Sequence, residues 1–230
     1  MVSEALTENE TASGIEQRPK MRGWLHAASF FGFLLACPWL FVRSPSAGAT
    51  VAISIYVFSI LSLFGVSALF HRVRWSEVGR RRMRRLDHST IFLAIAGSYT
   101  AVAGLVLTGN ARLAILLLVW GGGIAGVVLR QLWLDAPKWV IAIPYIVVGW
   151  SALVVLPPLF HSLGVAGFCW LMAGGLAYTI GAIAYSAKRP NPVPGVFGYH
   201  EVFHSGTVVG AACHYVVIGF FAIPIAAAHV

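Results

Sequence analysis

The sequence predicts an all-α, polytopic membrane protein: a seven-transmembrane-helix bundle with its N-terminus in the cytoplasm and its C-terminus outside. Three observations predict it. Apolar residues make up 58% of the 230 residues and charged residues only 10%, against roughly a quarter charged in soluble domains. Lipid must then be the solvent for most side chains. Seven apolar segments are long enough to cross a bilayer core, which takes about 20 residues. The Lys and Arg residues fall almost entirely on one side of those segments.

Residues 1–19 are rich in Glu, Thr and Ser and too polar to bury a core, so they are expected to form a disordered cytoplasmic tail. Residues 20–230 form one seven-helix membrane domain. Its spans are 24–42, 50–71, 88–108, 112–130, 138–157, 164–186 and 200–228. The tail and the connections after the second, fourth and sixth spans carry Arg18, Lys20 and Arg22; Arg72, Arg74, Arg80, Arg81, Arg82, Arg84 and Arg85; Arg130 and Lys138; and Lys188 and Arg189. The opposite side carries only Arg43 and Arg112. A bias of that size orients the chain. It also supports an odd number of crossings, because a missed helix would scramble the alternation.

The net charge of +8 invites a nucleic-acid partner. The basic residues form no separate domain, however, and their position between apolar runs suits membrane orientation and anionic head groups instead. Cys37, Cys169 and Cys213 lie inside apolar runs, so no disulfide framework is expected. Gly122 with Gly126, and Gly174, Gly175 and Gly181, read as positions where helices approach closely. Trp24, Trp75, Trp133 and Trp139 read as an interfacial belt.

Ionisable side chains inside spans are costly, and each marks a functional hypothesis. Four of the acids (Glu4, Glu8, Glu10, Glu16) are in the tail, and Glu77 and Asp135 are in loops. Only Asp87 and Glu201 stand at helix starts. Among the histidines, His161 and His229 fall near the outer surface. His26 begins the first span, His71 ends the second and His88 begins the third, while His200 and His204 begin the seventh. The predicted topology brings His71, Asp87, His200 and His204 to one depth near the cytoplasmic face. His200 and His204 are four apart on one helix face, as are Ser67 and His71. Three neutral imidazoles with an open position form the pattern of a catalytic zinc site. Asp87 could then hold a metal-bound water, with Ser67 as a second polar partner. His200-Glu201-Val202-Phe203-His204 also matches the HExxH metalloprotease stretch. Glu201 is better read as an anion at a helix start, and no second protease element follows. His214, about 15 Å further along the same helix, is expected to be buried and bonded to a neighbouring helix. The Arg80–Arg85 run reads as a topology signal on an interfacial segment.

At these residues the chain resembles the bacterial hemolysin III family. The stretches that carry the likeness are Ser67-Ala68-Leu69-Phe70-His71, Leu86-Asp87-His88-Ser89-Thr90-Ile91-Phe92 with Ala96-Gly97-Ser98-Tyr99-Thr100, and His200 to His204. Tyr145 through Trp150 and Gly174 through Gly181 add to it. The resemblance covers nearly everything from Lys20 onward. It places the chain in a larger group with adiponectin and progestin receptors and alkaline ceramidases. It implies a zinc ion (Zn2+) held by His71, His200 and His204, with Asp87 and Ser67 as the catalytic pair beside it. Ala101 departs from the Pro that often follows the Tyr-Thr pair in that family. The expected function is therefore a zinc-dependent hydrolase of a membrane lipid amide or ester in the cell membrane, with no nucleic-acid partner. A pore-forming cytolysin and a membrane-homeostasis sensor with structural zinc are the alternatives.

Overall fold

The computed structural model describes residues 19–228. Most of the expected disordered tail, and His229, lie outside the described residues. The first apolar stretch is α1 (Trp24–Ala36) followed by the short α2 (Pro38–Val42), divided at Cys37. Pro38 supplies no N–H and so starts a new helical turn rather than continuing the old one. The helix α3 (Ala47–Arg72) begins at Ser46, whose hydroxyl accepts from the Ala49 N–H at 3.2 Å. Next come α4 (Glu77–Val106) and α5 (Gly109–Leu132).

The helix α4 starts about three turns before the expected 88. Arginine is a good helix former, and Ser76 caps the start by accepting from Gly79 N–H at 3.2 Å. The Arg80–Arg85 run is therefore a helical extension of the span. Arg84 pairs with Asp135 across to the next connection and holds that carboxyl below the usual carboxylate range. Both groups are solvated, so the pair adds little stability.

The fifth apolar stretch, Lys138–Ala187, is 50 residues long. It comprises α6 (Lys138–Gly149), a 3-10 turn (Trp150–Val155) and α7 (Leu156–Ala187). At 1.5 Å per residue it would measure about 75 Å if straight, far beyond a hydrocarbon core of roughly 30 Å. It is not continuous, because Gly164 has φ +65 and is not helical. Residues 158–163, between the expected spans, are helical. Pro157 and Pro158 sit in the first turn of α7, where proline's missing N–H costs nothing. The last stretch is α8 (Tyr199–Val216), a π-helical segment (Val217–Ala222) and α9 (Ile223–Ala227).

Six apolar helical stretches are thus long enough to cross a bilayer among the described residues, and no strand is present there beyond one bridge between Val193 and Phe197. The helices α3 and α4 pack along each other most extensively, as do α7 and α8, while α1 lies against α3 and α8. Ile53, Tyr56, Ile60, Phe64 and Phe92 fill the interior. Large apolar side chains such as Leu35, Phe58 and Leu117 face outward, as lipid-facing residues should. The helix pair α7–α8 touches backbone to backbone: a Cβ on Gly206 would lie 2.6 Å from the Ala177 carbonyl oxygen and 3.1 Å from Gly181 Cα. Gly181 thus plays the close-packing part expected of it. Gly126 meets the Phe92 ring and Gly122 meets Val148, so the pair in α5 seats two neighbours rather than one. Trp24, Trp75, Trp133 and Trp139 are all exposed at helix ends.

Candidate metal centre

Three helices supply the polar residues at one end of the bundle. The helix α3 ends in an extended Val73, which leaves His71 in its last turn, one turn after Ser67 and on the same buried face. The helix α4 brings Asp87. The helix α8 brings His200 and His204 in its first two turns. The His71, His200 and His204 rings meet with centroids 4.7–5.2 Å apart, and one nitrogen from each lies within 4.8 Å of the others. His71 and His204 are buried and His200 is half-buried.

These nitrogens fit a metal. A tetrahedral ion with nitrogens at 2.0–2.1 Å holds them about 3.3–3.4 Å apart. His71 Nε2 and His200 Nε2 are 3.3 Å apart, a spacing that an N–H···N bond also satisfies when no ion is bound. His204 Nδ1 is buried without a hydrogen-bond partner in the protein, as are both nitrogens of His26 and His214. Asp87 Oδ2 lies 4.0 Å from His71 Nε2, and the Ser67 side chain hydrogen-bonds the Asp87 carboxyl. Ser67, His71, Asp87, His200 and His204 therefore come together as the topology argument expects.

Other candidates go elsewhere. His88 Nδ1 lies 2.8 Å from the Arg84 carbonyl and 3.3 Å from Arg130 Nη2, and the His88 backbone carbonyl accepts from the Tyr145 hydroxyl, away from the histidine cluster. Arg130, expected as a loop charge, is only 2% exposed and donates to the carbonyls of Trp133 and Leu134 at 2.8 and 3.0 Å, closing the end of α5. His214 packs edge-on against Tyr178 and over Gly174 on α7, away from the histidine cluster. His161 is exposed.

Glu201 is fully buried. One carboxylate oxygen accepts from Arg22 Nε and the other from the Gly198 N–H at 2.9 Å. The side chain is thus an N-terminal helix anion, as expected, and both its oxygens are already engaged. The ion pair with Arg22 was not foreseen. It ties the segment before α1 to the start of α8, and the N–H groups of Lys20 and Met21 reinforce the tie by donating to Gly195 and Val196 carbonyls at 3.1 Å. The available signal was that Glu201 is one of only two acids standing at a span start, with no Lys or Arg beside it in sequence to pair with. Tyr185 on α7 was also missed. Its ring packs on His200 and Phe203 and under Lys138.

Between this segment and α3 there is no room for a side chain at residue 23. Gly23 has φ +83, and a Cβ there would fall 2.6 Å from His71 Cβ. Gly23→Ala must strain the backbone and push His71 out of register. Bound metal per protein should fall well below that of the wild type, along with the melting temperature; an alanine variant with unchanged metal content would show that His71 is not held by this contact.

Asp87, His200 and His204 line one end of a cavity of about 130 Å³. Asp87 and Ala103, 16 residues apart on α4, both line it, so it extends along roughly 24 Å of helix. Its walls beyond the histidines are largely apolar, with Ile91, Ile95, Val102, Val155 and Leu159 among them.

Comparison with known proteins places this arrangement in context. The family model described as haemolysin-III related matches residues 15–215. Hemolysin-3 of Bacillus cereus is 29% identical over 201 residues, covering 85% of this chain and 89% of that protein. A hemolysin-3 homolog of Bacillus subtilis (strain 168) is 28% identical over 200 residues, covering 84% and 91%. The human monocyte to macrophage differentiation factor is 26% identical over 168 residues, covering 71% and 67%.

Proposed function

The chain belongs to the haemolysin-III-related family, and from that premise we propose that this multi-pass membrane protein is a zinc-dependent hydrolase of lipid amides or esters. The observation that carries the reading is the meeting of three imidazoles and a carboxylate at the polar end of a long apolar cavity. Seven crossings, with the N-terminus in the cytoplasm, fit the charge bias, Lys138–Ala187 crossing twice with its reversal near Gly164. The metal end then faces the cytoplasm.

His71, His200 and His204 would hold the ion. Zinc, when bound, polarises a carbonyl oxygen and makes a water acidic near pH 7. Asp87 lies where it can take a proton from the attacking water and pass it to the leaving amine or alcohol. Ser67 keeps the Asp87 carboxyl aimed by its hydrogen bond. The apolar walls suit the acyl part of a lipid and exclude bulk water, which strengthens each charge interaction beside the triad.

The test is metal analysis of purified protein combined with turnover of defined lipid amides and esters by wild type and His204→Ala. The wild type should carry about one zinc and hydrolyse at least one acyl lipid, and the variant should lose both. A wild type that binds no zinc would end the reading. The name hemolysin borne by the relatives motivates the lytic alternative. Bilayer conductance that persists in His71→Ala would favour that alternative over the enzyme.

A further inference from the structure

One buried histidine at the metal end has no part in the triad. His26, in the first turn of α1, is 2% exposed and lies flat on His204, with ring centroids 3.8 Å apart and planes 10° from parallel. No other ring pair among the described residues is as close or as parallel. The Phe64 ring on α3 meets it in a T-shaped contact, with centroids 5.0 Å apart and planes at 73°. His26 is thus a plate held between α3 and α8.

The same geometry rules it out as a fourth ligand. An imidazole's lone pair lies in the plane of its ring. Two rings stacked in parallel planes aim their lone pairs along separate sheets, so an ion in the plane of His204 is out of the plane of His26. The triad members differ: their rings tilt by 59–83° to one another, so their planes can intersect at one point.

We propose that His26 is a positioning residue, a flat wall that fixes the ring orientation of the metal-binding His204 from the first helix. This rests on the zinc reading above. A histidine's χ2 is a broad, soft torsion, and the neighbours His71, His200 and Phe203 meet His204 only at tilts of 55–67°. A parallel face at 3.8 Å opposes that rotation directly. Two electron-rich rings stack poorly face to face. A ring that gives its lone pair to a cation is depleted of π density, and the stack then becomes attractive, so the contact favours the metal-holding state. The wall is itself located by α8, since Arg22, four residues earlier, is bound to Glu201. Partners that orient metal ligands commonly change metal affinity ten- to a hundredfold when removed.

The test titrates Zn2+ and Co2+ into metal-stripped full-length wild type, His26→Ala and His26→Phe in detergent. A chromophoric chelator reads affinity, and the visible d–d bands of Co2+ read ligand geometry. His26→Ala should bind roughly ten- to a hundredfold more weakly, with altered Co2+ bands. His26→Phe keeps a flat ring and should recover affinity to within about threefold, with wild-type bands. Wild-type affinity and bands in folded His26→Ala overturn the proposal. So does a folded His26→Phe that binds as weakly as the alanine variant, because the nitrogens would then matter and not the face. If the alanine variant does not fold, the phenylalanine variant decides alone. A wild type that takes up no metal defeats the zinc reading itself, a result distinct from variants that match a metal-binding wild type.

Discussion

Asp87→Asn is expected to leave zinc bound and to remove turnover. The carboxyl sits 4.0 Å from His71 Nε2, within reach of an attacking water beside the triad yet outside the set of three nitrogens. Asparagine has the same shape and can still bond to Ser67, but it cannot accept a proton. General-base catalysis contributes about 10²–10⁴ in rate, and kcat should fall by that order. Zinc content measured by mass spectrometry should stay within a factor of two of the wild type. Loss of metal together with rate would make Asp87 a ligand, and retained rate would remove it from the chemistry. Ser67→Ala supplies a graded comparison. It removes only the bond that aims the carboxyl, so its loss of kcat should be smaller than that of Asp87→Asn, with metal again retained.

The meeting of the histidines and Asp87 was legible in sequence because lipid makes polar residues conspicuous. His71, Asp87, His200 and His204 are costly where they stand, and alternating crossings assign each to an end of the bundle without any knowledge of packing. Spacing then supplies the shared face of His200 and His204. The same reasoning placed His26 at that end but could not give it a role, because stacking depends on the rotation of α1 about its own axis. Hydropathy does not report that rotation in a helix that is apolar on most faces. Arg22 and Glu201 illustrate a different limit. Each was visible as a charge, and each already had an explanation: one as a topology signal, the other as a helix-start anion. Their partnership joins residues 179 apart, and it depends on the 19–23 segment turning at Gly23 to lie along 195–198. The stretch Lys138–Ala187 exposes a third limit. Pro157 and Pro158 suggest a break, yet proline opens a helix as readily as it ends one. The backbone departs from helix at Gly164 instead, where a positive φ is free of Cβ strain.

The ion pair between Arg22 and Glu201 yields the largest expected loss of stability. Glu201 is 0% exposed and Arg22 18%, so Arg22→Ala would strand a buried carboxylate. Removing one partner of a buried pair costs about 3–5 kcal/mol, a large share of the roughly 5–15 kcal/mol by which domains are stable. Arg22→Ala should therefore melt much earlier than the wild type in the same detergent, and metal binding should weaken with it, because the start of α8 carries both His200 and His204. The neutral Glu201→Gln should cost less, since its amide oxygen can still accept from Gly198 N–H while no unpaired anion remains. The double variant Arg22→Ala/Glu201→Gln should then be more stable than Arg22→Ala alone. This rescue separates a stranded charge from simple loss of the Arg22 stem, whose packing is absent in both. Denaturant unfolding of all four proteins closes the cycle. Additive losses, with no recovery in the double variant, would mean that the two side chains do not depend on each other, and the N-terminal segment would then have to be held to α8 by its backbone bonds to Gly195 and Val196 alone.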